Sequence, residues 1–255
     1  IIKKEKINII FHAAAFKHVG ILQENVQSAI RNNIYGSNSV LSVARKNEVP
    51  IVTISTDKAV KPTSILGLTK RISEILCLKY NSKNFSSKVV RFGNVFGSIG
   101  SAVPTFINQI NNKLPITITH RDVKRYFMTT NEACFLLMSS MKIKMPTNVL
   151  VLNMGNPIKI MNIIKSLIEL KKKIDPNYTY EIKEIGLQEG EKMNEQLTIK
   201  KKLIKTKNVD ISISTDPVYT DDSVEKLLEK LSKNNDPNIS TRLMKNFLKK
   251  DFKTK

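Results

Sequence analysis
Apolar and polar positions alternate along this chain in two rhythms. Short β-branched runs at 7–11 and 50–54, each closed by small or polar residues, read as buried strands. Between them Val26, Ala29, Ile30, Ile34, Val40, Leu41 and Ala44 keep a 3.6-residue period that Pro50 ends, which predicts a helix from near Asn25. Strand, helix and strand make a first βαβ unit. After Pro62, the spacing of Ile65, Leu66, Leu68, Ile72, Ile75, Leu76 and Leu78 predicts a second helix, and 88–92 reads as a third strand. Helices at 105–112 and 132–141, strands at 116–119 and 149–153, and a helix from MGNPIKI to about Lys172 follow. The signal then weakens: one strand within 175–185, a short helix after GLQEGEKMNEQL, an alternating segment at 208–217, a short helix at 223–231 and a polar, frayed tail from Ser232.

At 255 residues and 41% hydrophobic, the chain can bury one large domain, or one domain with a small companion. A net charge of +20 raises nucleic acid or an anionic membrane as partners. The lysines are nevertheless spread out, and the densest run, Lys200, Lys201, Lys202, Lys205 and Lys207, lacks interleaved aromatics for base stacking. That run reads as a solvated face, with no nucleic-acid partner. With no apolar run of eighteen residues, no leader and no lipidation signal, the expectation is a cytoplasmic chain with no membrane span. Cys77 and Cys134 each fall in an apolar helical pattern and read as reduced core thiols. His12, His18 and His120 are too scattered to suggest a metal site.

Candidate chemistry gathers at strand ends. Thr56, Asp57 and Lys58 follow the strand at 50–54, where open α/β sheets place their ligands. An acid beside an amine can donate and accept protons; a solvated loop with an Asp cap and a surface lysine is the alternative. Ala13, Ala14 and Ala15 end the first strand with side chains small enough to admit a flat ligand, with Lys17 and His18 just beyond. The glycines of GNVFGSIGSAVP can bring backbone donors against a diphosphate. Arg121, Lys124 and Arg125 beside Tyr126 and Phe127 would clamp an anionic nucleotide.

The segments FHAAAFKHV, RNNIYGS, ISTDKAVKPTSILGLTKR, VVRFGNVFGSIGSAVPTF, ITHRDVKRYFMT, LNMGNPIKI and GLQEGEKMNEQL occur in that order. Together they resemble the motifs of CapD-like polysaccharide biosynthesis proteins. These are UDP-N-acetylhexosamine 4,6-dehydratases of the extended short-chain dehydrogenase/reductase superfamily. The resemblance implies an α/β fold: a partial Rossmann-like, doubly wound parallel sheet at 1–155, a small substrate-binding lobe at 156–231 and a disordered basic tail at 232–255. It implies NAD as cofactor, with NADP as the alternative, a UDP-sugar substrate and a homo-oligomer in the full-length form. Hydride would pass from sugar C4 to the cofactor, water would leave across C5 and C6, and the hydride would return to C6.

The resemblance also implies residue roles. Asp57 would protonate the departing C6 hydroxyl, Lys58 would take the C5 proton and Thr56 would orient the C4 hydroxyl. A lysine base calls for burial and a nearby cation to keep it neutral. Lys70 matches the lysine of the superfamily's YxxxK motif, with Leu66 in the tyrosine's place, so C4 deprotonation falls to Thr56, Asp57 or a water. Ala13, Ala14, Ala15, Asn33, Ser55, Phe92, Gly93 and Val95 would line the cofactor, and Lys17, His18, Asn94, Arg125 and Glu191 the UDP-sugar. Gln188 and Glu189 stand where the family has Arg and Pro. The Gly-rich βαβ opening of a dinucleotide fold is not in the sequence, and roughly three βα units of about 30 residues each would precede it in the family pattern. A fragment, a truncated remnant or half of a split enzyme is therefore expected, with an exposed strand edge and weak NAD binding on its own. A nucleotide-sugar epimerase of the same superfamily is the enzymatic alternative.

Overall fold
The strand rhythm of the sequence builds a single six-stranded sheet flanked by helices. The computed structural model describes residues 1–143, 149–200, 202–217 and 222–252. In chain order the elements are β1 Ile10–His12, α1 Val19–Glu24, α2 Val26–Ala29, α3 Gly36–Lys46, β2 Ile51–Thr56, α4 Ile65–Tyr80, β3 Ser87–Phe92, β4 Asn94–Val95 and α5 Ala102–Asn111. Then come β5 Ile116–Ile118, β6 Lys124–Arg125, β7 Phe127–Met128, α6 Thr130–Ser140, β8 Val149–Leu152, β9 Ile158–Lys159, α7 Ile160–Ile174, β10 Ile182–Glu184, β11 Leu203–Lys205, β12 Ile211–Ser214, α8 Ser223–Ser232 and α9 Pro237–Phe252.

The sheet runs β1-β2-β3-β8-β12-β11. β1, β2, β3 and β8 are parallel, while β12 and β11 add on antiparallel. β1 forms one edge, and Phe11 on it is exposed. Successive strand residues face opposite layers. Ile51, Val89 and Val149 pack with α1 to α4, α8 and α9, whereas Val52, Val90 and Leu150 pack with Leu136 and Leu137 of α6. A third cluster, Phe106, Ile110, Ile116, Ile164 and Ile168, holds α5, α7 and β5 together as a lobe, with β10 paired to β5. Among the described residues no helix is long and apolar enough to cross a membrane.

Several expectations change. Ser232 onward is helical from Pro237: Asp236 Oδ1 accepts the N–H groups of Asn238 and Ile239 at 2.7 and 3.0 Å, an N-cap ahead of Pro at the first helical position. Ser240, Met244 and Leu248, four residues apart, are buried and seat α9 on the helical layer. The last residues, 253–255, lie outside the described residues. The helix expected from Asn25 is preceded by α1 and interrupted by a π-helical turn at Ile30–Tyr35. Among the described residues no helix stands directly after GLQEGEKMNEQL, whose residues form loops. The 208–217 segment returns to the main sheet as β12 and does not belong to the lobe. Cys77 is buried, but Cys134 is exposed on the outer face of α6.

Candidate active site
β2 ends where three kinds of polar group converge. After Thr56 the chain makes one 3₁₀ turn, Asp57–Ala59, with the Thr56 side chain capping it. Thr56 Oγ1 donates to Asp57 Oδ1 at 2.8 Å, and Lys58 Nζ donates to the same oxygen at 3.0 Å. Lys58 Nζ also reaches Asn94 Oδ1, on β4, at 3.2 Å. Asp57 is fully buried, and its second oxygen, Oδ2, has no hydrogen-bond partner among the described residues. That oxygen faces Gly93: a Cβ there would lie 3.2 Å from Oδ2 and 2.8 Å from the Cβ of Tyr126. Glycine is what lets the end of β3 press against the carboxylate. The charged neighbour of Lys58 is this anion, not the cation expected from the sequence.

α4 supplies the opposite wall. Ser64 caps it by accepting from Gly67 N at 3.1 Å, which sets Lys70 one turn further in. Lys70 is 7% exposed, and its Nζ donates to the Ile54 carbonyl at 2.5 Å. A surface lysine is thereby excluded. Burial pushes its amine down from 10.5 to about 8, against the attraction of Glu74 and Cys77. Leu66, buried on the same wall, brings no hydroxyl.

Two adjoining cavities open here, sharing His18, Val19 and Lys58. The one of about 460 Å³ is walled by Ala13, Ala15, Lys17, Ser55, Thr56, Lys70, Phe92, Gly93, Asn94 and Val95. The other, about 370 Å³, is walled by Thr63, Ser64, Thr119, Arg125, Gln188, Glu191 and Lys192. Most sequence-nominated residues therefore meet at one cleft. Of those assigned to catalysis, the cofactor or the sugar, three do not line it. Ala14 is exposed away from it. Asp57 lies beneath the surface, reached through Thr56 and Lys58. Asn33, on the π turn, is fully buried: its amide accepts from Phe16 N at 2.8 Å, and donates to Phe16 O at 3.1 Å and to Thr69 Oγ1 at 3.2 Å. It pins the 13–17 loop from behind and lines neither cavity.

The second cavity is already internally paired. Arg125 donates to Glu191 Oε1 at 2.8 Å and to the carbonyls of Lys124 and Met193, and Thr119 donates to Glu191 at 3.1 Å. Arg121 stands outside, paired with Glu184 at the surface. Lys192, which sequence reasoning left without a role, donates to Val60 O at 2.8 Å and to Glu195 at 3.2 Å. With Thr63 Oγ1 donating to Gly190 O at 2.8 Å, the 188–192 loop is tied to the reactive turn. Gly100, with φ +70, stands where a Cβ would fall 2.5 Å from the His18 ring. Its glycine was visible in the sequence, but the contact was not.

Known proteins resemble this chain in sequence and in fold. The capsular polysaccharide biosynthesis protein CapD of Staphylococcus aureus is 43% identical over 197 residues, which are 76% of this chain and 33% of that protein. The probable polysaccharide biosynthesis protein EpsC of Bacillus subtilis strain 168 is 39% identical over 202 residues, 77% of this chain and 33% of its own. The chain thus spans about a third of the length of these relatives. Among solved structures, Pen from Bacillus thuringiensis is 34% identical with a TM-score of 0.77, over 83% of this chain and 66% of its own. A UDP-glucuronic acid 4-epimerase from Bacillus cereus, in complex with UDP-glucuronic acid and NAD, shares the fold at 21% identity and a TM-score of 0.66, over 76% of this chain and 68% of its own. A family model described as polysaccharide biosynthesis protein matches residues 1–216, and the chain belongs to that family.

Proposed function
We propose that the cleft carries out nucleotide-sugar 4,6-dehydration on a UDP-N-acetylhexosamine, with NAD as cofactor, in the making of surface polysaccharide. One observation carries this reading: a buried acid and an amine share a hydrogen bond at the end of β2, and the acid keeps one oxygen unpartnered. Simple redox at C4 needs no such pair. Elimination of water needs both a base for C5 and an acid for C6.

The larger cavity fits the nicotinamide end of a dinucleotide. Ala13, Ala15 and Gly93 keep its wall free of bulky side chains, and Lys70 brings an amine to the wall beside Ile54. Bound NAD would supply the acceptor and donor of hydride, which makes C4 a ketone and acidifies the C5 proton. The chain's own groups manage the protons. Thr56, whose hydroxyl already bonds Asp57 Oδ1, holds the C4 hydroxyl and passes its proton to the carboxylate; Leu66 leaves no closer titratable group. Asp57, now a carboxylic acid, gives that proton to the C6 hydroxyl, which departs as water. Lys58, acting as the free amine, takes the C5 proton as the C6–O bond breaks and returns it to C5 when C6 is reduced. Protons taken and returned balance. Arg125 and Glu191 hold the nucleotide end, with Lys17, His18 and Asn94 along the sugar.

Product analysis tests this. Incubated with UDP-N-acetylglucosamine and NAD, the protein is expected to yield a 4-keto-6-deoxy sugar lighter than substrate by one water. Formation of the C4 epimer at unchanged mass would instead assign the cleft to epimerisation, in which Asp57 and Lys58 would have no elimination to perform.

A further inference from the structure
One helix grips two consecutive residues of the reactive strand. Lys70 on α4 holds the Ile54 carbonyl, and one turn on, Glu74 Oε1 accepts the Ser55 hydroxyl at 2.6 Å. Glu74 is fully buried. Three further donors fill its lone pairs: Arg91 Nε on Oε1 at 2.6 Å, Arg91 Nη2 on Oε2 at 2.7 Å and Arg71 Nη1 on Oε2 at 2.9 Å. Arg91 continues to Asp216 at 2.8 Å, whose other oxygen takes the N–H groups of Ile199 and Lys200. Arg71, Arg91, Glu74 and Asp216 thus form one buried network, and Lys70 stands at its edge.

We propose that Glu74 is a positioning residue for the cleft: its fixed carboxylate keeps Lys70 an ammonium at the cavity wall and turns the Ser55 hydroxyl away from the ligand and into α4. The surroundings of Lys70 leave this task to Glu74. His12, on β1, is pushed below its ordinary value by burial and then by Lys70, so it is neutral at pH 7. Cys77, on α4, is pushed up to about 12 by burial and remains a thiol. Lys58, which lines the same cavity, is taken up by Asp57 at 3.0 Å. Glu74 is held down at about 2, burial opposing and the two arginines and Ser55 prevailing, so it stays charged throughout the neutral range. It is the anion that counters the desolvation of Lys70. The functional consequence rests on the dinucleotide reading above: an ammonium at this wall can donate to ribose hydroxyls more strongly than a neutral amine.

The test does not require that reading. Lysine side-chain NMR on the ligand-free chain, with Lys70 assigned by Lys70→Arg, should show one amine titrating near 8, apart from the surface lysines. Glu74→Gln keeps the shape and removes the charge; it should lower that midpoint by at least about one pH unit. Asp216→Asn removes the same charge beyond Arg91 and should move it by less than half as much. An unmoved midpoint in Glu74→Gln, or equal shifts in the two variants, overturns the proposal. Should Glu74→Gln fail to fold, Glu74→Gln with Arg71→Met removes one charge of each sign, leaves Arg91 paired with Asp216, and must show a fall in the same direction. A fallen midpoint with dinucleotide affinity unchanged between pH 6 and 9 would uphold the positioning role and defeat the cofactor reading instead.

Discussion
Two buried carboxylates flank the end of β2, and they differ in how their lone pairs are used. Glu74 accepts from Ser55, twice from Arg91 and from Arg71. Asp57 accepts from Thr56 and Lys58 on one oxygen, and the other has no partner. A carboxylate closed on all sides gains nothing from a proton and behaves as a fixed charge. One with a vacant oxygen beside a hydroxyl and an amine can change protonation without breaking the bonds that hold it. Burial is common to both, so what separates them is saturation, and on the proposed reading only the unsaturated Asp57 does chemistry.

That contrast can be broken from either side. Asp57→Asn keeps the shape and removes the proton carrier; turnover should fall by up to about 10⁴-fold, the upper end for a lost general acid or base. Its denaturation midpoint should hold or rise, since a half-satisfied buried charge is relieved; a loss of stability with activity retained would reverse the two roles. Glu74→Ala should destabilise by about 3–5 kcal/mol, because it strands Arg71 and Arg91 in the interior, and chemical denaturation reads it directly.

Acid titration sharpens the same difference. The Glu74 carboxyl is lowered from 4.5 to about 2 in the folded state. Its contribution, about 3 kcal/mol by linkage, is therefore complete above 4.5 and is lost as pH falls through about 2. Stability measured from pH 6 to 2 should drop accordingly, and the drop should shrink in Glu74→Gln. The smallest effect is expected at the second cavity. Arg125→Lys loses the planar fork that now spans Glu191 and two carbonyls, and should raise KM about tenfold with kcat little changed.

How much of this was legible beforehand depends on the range over which each feature is written. The β2 run, the Pro62 to Leu78 period and the Thr56-Asp57-Lys58 end are local patterns, and each element lies within a few residues of its expected place. Lys70 was identifiable by resemblance, but its burial beside Ile54 depends on how α4 settles on β2. The Glu74–Arg91–Asp216 chain joins residues 17 and 125 positions apart, which no spacing rule reaches. Asn33 carried the motif, but its place on a π turn, with its amide bonded to Phe16 and Thr69, was not legible, since π turns leave no periodic signature. α9 was overlooked although Asp236-Pro237 is a helix-start signal and Leu243, Met244, Phe247 and Leu248 form a stripe, because lysine and asparagine dilute it.

The central claim is that Lys58 and Asp57 act on C5 and C6 of the sugar, and solvent isotope tests it most directly. Lys58 is about one-fifth exposed and exchanges its protons with water. Turnover of UDP-N-acetylglucosamine in deuterium oxide should therefore give a 4-keto-6-deoxy product with one deuterium at C5, and no deuterated product with Lys58→Met. A product with no solvent deuterium at C5, or the same labelling from Lys58→Met, would contradict the account.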